Sequence, residues 1–316
     1  MKFNIENYDS MTLEEKLAAL REKLANKAGK TIVLYGNGAL SEPLFDLADV
    51  KIFIDITPKK AVLNVKRGNY RNYGSDEDLP FKATMRRCYY VDFELAFSLR
   101  CKLLANKQLD YYICGDKPEN LQILASDALF ALLSRALDYP IRQRPVYLEG
   151  VWGGYRTIKQ RNLPSTMKNC AWVFDMIPME VSTVLIIDNK EFEFPFYVLV
   201  ASCGQKLLAA KCLEQFHGFF PIRFNYDDTY HASGNMSIQL HPGEEYVTNN
   251  HNELGRQDES YYIVENAQGA RTYLGFNNGQ DPDEFISEVK RSEIDHQPVD
   301  YKKYIYSVES KPGVQV

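Results

Sequence analysis

Several features that assign proteins to broad classes are missing from this sequence of 316 residues. Its six cysteines include no Cys-x-x-Cys pair and follow no regular spacing, which favours reduced thiols over a disulfide framework. The first residues lack the apolar run of a signal peptide, and no later stretch approaches the ~20 apolar residues that a membrane helix needs. The net charge of −5 argues against a general nucleic-acid binder. We therefore expect a cytoplasmic protein without a nucleic-acid or membrane partner.

The first part of the chain predicts alternating helices and strands. Leucines recur at helical spacing after a Thr-x-x-Glu sequence, which is the spacing of an N-terminal capping box. Helices are predicted at residues 12–28, 91–105 and 126–136. Short apolar runs bounded by turn residues predict strands at residues 31–35, 50–56 and 111–114. Alternation of this kind indicates a small α/β domain with a parallel sheet.

A glycine-rich turn, Gly36-Asn37-Gly38, follows the first predicted strand, where backbone N–H groups can bind a phosphate. A Walker A loop would continue with Gly-Lys-Ser/Thr, whereas here Ala39 follows Gly38. Without that lysine, phosphoryl transfer lacks its main charge-neutralising side chain, so the pattern favours a tight turn. An anion site remains open at a basic cluster, although such clusters are more often a solvated face: Lys59, Lys60, Lys66, Arg67, Arg71, Arg86 and Arg87.

Beyond the prolines near residue 140, which disfavour continued helix, strands dominate the prediction. One helix is predicted at residues 206–215. Strands are predicted at residues 171–175, 183–187, 193–200, 222–225, 236–240, 261–265, 271–276 and 305–308. Many short strands separated by turn residues fit a β-sandwich or jelly roll. We therefore expect an α+β protein with two domains, an α/β domain over residues 1–140 and a jelly roll over residues 141–316.

Three metal-binding side-chain types converge in one short part of the predicted jelly roll. Gln239 and His241 alternate on a predicted strand and so project to the same face. Glu259 precedes the next apolar run, which can pair back beside the first. An amide oxygen, an imidazole and a carboxylate suit zinc or a similar divalent cation with positions left for water or substrate. A Gln-x-His pair by itself is common by chance, and a single histidine is more often structural.

The longer stretch, residues 237–276, resembles the metal-binding segment of class I mannose-6-phosphate isomerases. The resemblance includes the Tyr-Leu-Gly-Phe sequence at residues 273–276. Upstream, it extends to Trp-Gly-Gly at residues 152–154 and to Phe-Pro-Ile-Arg-Phe at residues 220–224. It covers roughly the second half of the chain, and it is closest to a long form of these enzymes that carries a degenerate nucleotide-kinase-like domain in front.

This resemblance implies a zinc-dependent cupin enzyme that interconverts mannose 6-phosphate and fructose 6-phosphate. Gln239, His241 and Glu259 would hold Zn²⁺ or another divalent metal, and the Ser237 hydroxyl would help hold the sugar phosphate. A cation held there can polarise the carbonyl and stabilise the charge of the enediolate oxygen. A buried serine satisfied by backbone is nearly as good an interpretation of Ser237.

Two departures from the family pattern limit the expected activity. Gln257 stands where many relatives carry a lysine that assists proton transfer, so the acid–base residue is unassigned. The family's fourth ligand, a later histidine, is expected beyond Val316, and His231 is a substitute without a family counterpart. We therefore expect a C-terminally truncated isomerase with reduced or no activity alone, prone to self-association through unclosed sheet edges.

The same departures support an alternative from another class. A non-catalytic cupin-like module could bind a sugar phosphate or act as a regulator without turning it over. A nucleotide-dependent kinase in the first domain is the weakest alternative, because the Walker A lysine is missing.

Overall fold

The computed structural model describes residues 14–25, 29–229, 235–251 and 255–316. Its α-helices are α1 (Glu14–Ala25), α2 (Glu42–Phe45), α3 (Pro58–Lys66), α4 (Phe81–Arg87), α5 (Phe93–Ala105), α6 (Ser126–Ala136), α7 (Arg156–Arg161), α8 (Phe196–Gln215), α9 (Glu244–His251), α10 (Pro282–Asp295) and α11 (Tyr301–Tyr304). Its strands are β1 (Ile52–Asp55), β2 (Tyr111–Cys114), β3 (Gln122–Ala125), β4 (Gln143–Arg144), β5 (Val146–Leu148), β6 (Trp172–Met176), β7 (Ser182–Ile187), β8 (Lys190–Pro195), β9 (Phe224–Asp227), β10 (Arg271–Phe276) and β11 (Ile305–Glu309). The protein is mixed α/β with small sheets, which is consistent with an α+β fold.

Local sequence signals locate several elements well and others badly. β2 and α6 begin and end where the sequence predicts them. The strand predicted at residues 31–35 is wrong, because these residues form no strand, and Val33 and Tyr35 are 76% and 88% exposed. Residues with high strand propensity gain little from an extended backbone that has no partner strand.

The first sheet has the order β1-β2-β3. β1 pairs parallel with β2, as expected for an α/β layer, whereas β3 pairs antiparallel with β2, so the sheet is mixed. Phe53, Tyr112 and Leu124 occupy paired positions across the three strands and pack together in the hydrophobic core. Their alternate neighbours Ile54 and Ile123 lie on the opposite face and are exposed.

One hydrophobic core includes residues from both sides of residue 140. Leu104 and Leu133 come from α5 and α6, while Phe194 and Leu199 come from β8 and α8. Both α5 and α6 pack against α8, which brings these side chains together. By its contacts the chain divides into two compact units, Met1–Asn235 and Met236–Val316. A boundary near residue 140 would fall within the span of this core, and the division into domains at that residue stays a prediction.

The second part of the first unit contains two antiparallel sheets, with the orders β4-β7-β8 and β5-β6-β9. The strand predicted at residues 193–200 is wrong in its second half, because β8 ends at Pro195 and α8 begins at Phe196. The side chains of residues 196–200 are all buried, so their sequence shows a continuous apolar run that fits a strand as well as a helix. The larger jelly-roll arrangement stays a prediction.

Within the described residues, α8 is a helix long and apolar enough to cross a membrane, judged by length and composition, with a mean hydropathy of 1.3. The expectation that no stretch approaches this length and apolarity is therefore wrong for residues 196–215, where a strand followed by a shorter helix was predicted. Its first residues, Phe196 to Val200, pack in the core of the first unit. The backbone also leaves the helical conformation at Cys203 and Ala209. The buried first turns give α8 the position of a core helix.

In the second unit, β10 and β11 form an antiparallel pair that follows the predicted strands closely. α10 is capped by the Asp281 side chain, which accepts a hydrogen bond from the Asp283 backbone N–H at 2.9 Å. Tyr304, the last residue of α11, and Ile305, the first residue of β11, are buried. The strand predicted at residues 236–240 is wrong, because these residues have no regular secondary structure and no partner strand.

Candidate metal centre

Ser237 and Gln239 lie in the irregular segment that precedes α9, and both are exposed. The predicted alternation on a strand therefore does not position Gln239 beside His241. The described hydrogen bonds do not join Gln239 to His241 or Glu259. The local sequence pattern predicted a strand here, but a strand is stable only when a neighbouring strand supplies its hydrogen-bond partners.

His241 and Glu259 do come together, although eighteen residues separate them in the chain. The His241 Nε2 atom lies 2.7 Å from Glu259 Oε2. The two side chains are 32% and 34% exposed, so solvent and ions can reach both. An imidazole nitrogen and a carboxylate oxygen are thus neighbours at an accessible position, as the sequence motif predicts for two of its three residues.

Tyr261 completes this group, and the sequence analysis did not identify it as a site residue. Its hydroxyl donates a hydrogen bond to Glu259 Oε1 at 2.7 Å. The Glu259 carboxylate is therefore held at both oxygens, by His241 on one side and Tyr261 on the other. A usable signal was present, because residues two apart on an extended backbone share a face.

The backbone around Tyr261 pairs with the residues near Val316. The N–H groups of Tyr261 and Val316 each donate to the carbonyl oxygen of the other, at 2.8 Å in both cases. The Ile263 N–H donates to the Val314 carbonyl at 2.9 Å. These bonds form an antiparallel pairing around the bridge between Tyr262 and Gln315. The strand predicted at residues 261–265 is present only as this short pairing.

The donor types of the His241–Glu259 pair fit a zinc ion. Histidine nitrogen and carboxylate oxygen bind zinc at about 2.0–2.2 Å, so two such donors of a tetrahedral site lie about 3.4 Å apart. Their present separation of 2.7 Å would have to open by roughly 0.7 Å, within the range of small side-chain rotations. The described residues contain no group of three or more His, Cys, Asp or Glu side chains placed to hold a metal. A third donor would therefore be of another type, as Gln239 is, and His231 lies outside the described residues.

The Trp-Gly-Gly motif has a steric explanation. A Cβ atom on Gly153 would overlap the Asn169 side chain, and one on Gly154 would overlap the Asp228 carboxylate. Asn169 accepts from the Gly150 N–H at 3.0 Å and donates to its carbonyl at 2.9 Å. Asp228 accepts from the backbone N–H of Thr157 at 2.6 Å. The two glycines thus allow polar side chains to approach the backbone closely.

The glycine-rich turn at the start of the first unit shows no phosphate-binding arrangement. Gly36 and Gly38 both have a positive φ, and the Ser41 hydroxyl donates to the Gly38 carbonyl at 2.7 Å. The following helix, α2, has only four residues. In the basic cluster, Arg71 forms an exposed ion pair with Asp78 and Arg87 donates to the Tyr73 carbonyl. Two arginines of the cluster are thus engaged with partners inside the protein.

A buried ion pair in the first unit was not predicted from the sequence. Arg100 donates two hydrogen bonds to the Asp55 carboxylate, both at 2.7 Å, and the Tyr112 hydroxyl donates a third at 2.8 Å. Burial, and then the nearby Asp55 charge, raise the pKa of Tyr112 well above its ordinary value. The carboxylate is fully engaged with these partners, so the group holds β1, β2 and α5 together.

A second buried carboxylate, Asp92, ends the π-helical turn Cys88–Asp92. Asn72 and the Tyr70 hydroxyl donate to its Oδ2 atom at 2.7 and 2.9 Å, while its Oδ1 atom has no hydrogen-bond partner. Burial, followed by the Asp92 charge, raises the pKa of the neighbouring Cys88 thiol to about 11. The thiol is therefore protonated at neutral pH and is a poor nucleophile.

Comparison with known proteins gives limited similarity. A family model described as a domain of unknown function (DUF8485) matches residues 2–138. The search of curated proteins found no match. Among solved structures, the chain is similar to the mannose 6-phosphate isomerase from Bacillus subtilis, at 18% sequence identity and a TM-score of 0.39. That match covers 56% of this chain and 51% of the isomerase, so the chain spans about half the length of the relative.

Proposed function

We propose that this protein is a metal-dependent aldose–ketose isomerase of the mannose-6-phosphate isomerase type, acting in the cytoplasm on mannose 6-phosphate and fructose 6-phosphate. The observation that carries the proposal is the close approach of His241 Nε2 to Glu259 Oε2 at an accessible position. The motif spacing across residues 237–276 supports it, because it supplies the matching third donor type in Gln239. A cupin-like jelly roll around this site is part of the same proposal.

His241 and Glu259 would hold Zn²⁺ or a similar divalent cation, with Gln239 as the third donor. When bound, such a cation supplies positive charge that stabilises a developing oxyanion on the sugar. Gln239 is exposed on an irregular segment, so its amide would have to turn toward the pair. The exposed hydroxyl of Ser237 is free to donate a hydrogen bond to a substrate phosphate oxygen.

The proton-transfer residue is not among the groups assigned here. Gln257 cannot carry a proton at neutral pH, and its neighbours Arg256 and Asp258 form an exposed ion pair with each other, with 3.0 Å between Arg256 Nε and Asp258 Oδ1. An arginine remains charged at physiological pH and is a poor acid. We therefore expect slow but measurable turnover, with self-association through unpaired strand edges as a further consequence of small sheets.

The lack of an assigned proton-transfer residue also fits a second candidate function. A cupin-like module that binds a sugar phosphate without isomerising it needs the cation and the phosphate contact, but no acid–base residue. Two observations support this non-catalytic alternative: Gln257 stands in place of a lysine, and two close donors, His241 and Glu259, are found within the described part of the site.

A metal titration of the purified full chain, combined with a coupled isomerase assay, tests both candidates. The apoprotein should bind Zn²⁺, and His241→Asn should weaken binding at least about tenfold because one donor is lost. His296→Asn is the matched control, since His296 ends α10 with φ 55° and Asn tolerates that conformation. Absence of zinc binding by the unmodified chain would overturn the proposal, and binding without turnover of mannose 6-phosphate would select the non-catalytic function.

A further inference from the structure

We propose that Tyr261 is a positioning residue for the candidate metal centre, an inference that rests on the function proposed above. Its hydroxyl donates to Glu259 Oε1 at 2.7 Å, while Glu259 Oε2 faces His241 at the same distance. One carboxylate oxygen is thereby occupied by the tyrosine, and the other is directed to the imidazole. Tyr261 thus selects which oxygen of Glu259 is presented to a cation.

The Tyr261 side chain is itself held in place from the backbone. Tyr261 and Val316 exchange two backbone hydrogen bonds of 2.8 Å, and Ile263 is tied to the Val314 carbonyl and the Gly313 N–H at 2.9 and 2.8 Å. A further side-chain contact joins Gln315 Nε2 to Ser260 Oγ at 3.3 Å. These bonds fix the peptide units on both sides of Tyr261, so its ring leaves the backbone in a defined direction.

Alternation along this extended segment distinguishes Tyr261 from its neighbour. Glu259 and Tyr261 project to one face, whereas Tyr262 projects to the other and is 67% exposed. The described hydrogen bonds do not connect the Tyr262 hydroxyl to the His241–Glu259 pair. Adjacent tyrosines of the same chemistry therefore have different predicted effects, which provides a matched internal control.

The expected consequence concerns metal affinity. A carboxylate that is hydrogen-bonded at one oxygen has fewer orientations to lose when its other oxygen binds a metal. Removal of such an orienting partner typically lowers metal affinity by 10–100-fold. Because Glu259 is partly exposed, we expect loss of the Tyr261 hydroxyl to lower metal affinity by about tenfold, the lower end of that range.

The test compares Tyr261→Phe with Tyr262→Phe in the full chain. Zn²⁺ affinity is measured by competition with a chromophoric chelator, and Co²⁺ is used as a second probe whose visible absorption reports ligand geometry. We expect Tyr261→Phe to weaken Zn²⁺ binding about tenfold and to change the Co²⁺ spectrum. Tyr262→Phe should alter neither quantity, and thermal unfolding of both apoproteins should match that of the unmodified chain.

The outcomes separate this inference from the proposed function. If the unmodified chain binds neither ion, both fail. If it binds Zn²⁺ and Glu259→Gln abolishes binding, the metal centre stands, and an unchanged affinity and Co²⁺ spectrum in Tyr261→Phe would overturn the positioning role alone. An equal loss of affinity in both tyrosine variants would also overturn it, because it would indicate a general loss of structure. If Tyr261→Phe fails to fold, it is replaced by Tyr261→Leu, whose apolar side chain has no hydrogen-bond donor and which is expected to bind as Tyr261→Phe would.

Discussion

Two carboxylates, one in each compact unit of this protein, are held in contrasting environments. In Met1–Asn235 the Asp55 carboxylate is buried and fully engaged by Arg100 and Tyr112. In Met236–Val316 the Glu259 carboxylate remains one-third exposed beside His241. The first arrangement stabilises a fold, because a buried charge must be compensated within the protein. The second leaves the carboxylate available to an ion.

Breaking the buried ion pair should produce the largest loss of stability. Arg100→Met leaves Asp55 buried without its counter-ion, and the expected loss is about 3–5 kcal/mol in the free energy of unfolding, measured by urea denaturation. The control is Arg71→Met, which breaks an ion pair whose side chains are 53% and 81% exposed. That change should cost less than about 1 kcal/mol. Equal losses in the two variants would contradict the contrast.

One hydrophobic core contains residues from α5 and α6 and from β8 and α8. A cavity in that core should therefore destabilise the chain on both sides of residue 140. Leu133→Ala, in α6, is expected to cost about 2–5 kcal/mol because the leucine is fully buried. The only tryptophans, Trp152 and Trp172, both follow residue 140, so their fluorescence reports that later part. We expect the fluorescence transition in urea to shift to lower concentration. An unshifted transition would mean that the two sides unfold independently, as separate domains at residues 1–140 and 141–316 would do.

Adding a methyl group to Gly154 should have a moderate effect. The new Cβ would overlap the Asp228 carboxylate, which also accepts from the Thr157 N–H, so the surroundings must shift at an expected cost of about 1–3 kcal/mol. In the second unit, Gly243→Ala is the control, because a Cβ there meets nothing within 4 Å. Thermal unfolding of the two variants measures the difference. An unchanged midpoint for Gly154→Ala would show that the Asp228 side chain can move aside at no measurable cost in stability.

A rise in pH from 7 to 9 should have the smallest effect, and we expect it to act through buried thiols of the first unit. Burial raises the pKa of Cys101 and of Cys114 to about 12, and the six cysteines all precede residue 236. Because these folded pKa values exceed those of unfolded thiols, their contribution is fully present below about pH 8.5 and is lost as pH rises toward 12. Chemical denaturation at pH 7, 9 and 10 should show falling stability. Cys101→Ala and Cys114→Ala together should reduce that fall, and an unchanged slope would contradict the assignment.

Secondary structure was predicted correctly for some segments with strong local sequence signals. It was predicted wrongly where tertiary contacts decide the conformation. The leucine spacing of α1 and the bounded apolar run of β2 specify their conformations, although both predicted ends of the first helix, residues 12–13 and 26–28, lie outside the described residues. The run at residues 31–35 carries the same kind of signal but lacks a pairing partner. Residues 196–200 form a similar apolar run, yet they are buried within the first turns of α8. In the candidate site, the motif led us to expect His241 and Glu259 close together, as they are, whereas the hydrogen bond from Tyr261 to Glu259 was not predicted.

The sequence alone determined the element types with the clearest periodicity, the absence of a cysteine framework and the set of donor side chains in residues 237–259. Those properties depend on residue identity and on spacing over a few positions. Only the tertiary structure decided that α5, α6 and α8 share one core, that Arg100 compensates Asp55, and that the backbone near Val316 holds Tyr261 against Glu259. These are contacts between residues far apart in the chain, and the free energy that selects them comes from burial and pairing in three dimensions, which no local pattern records.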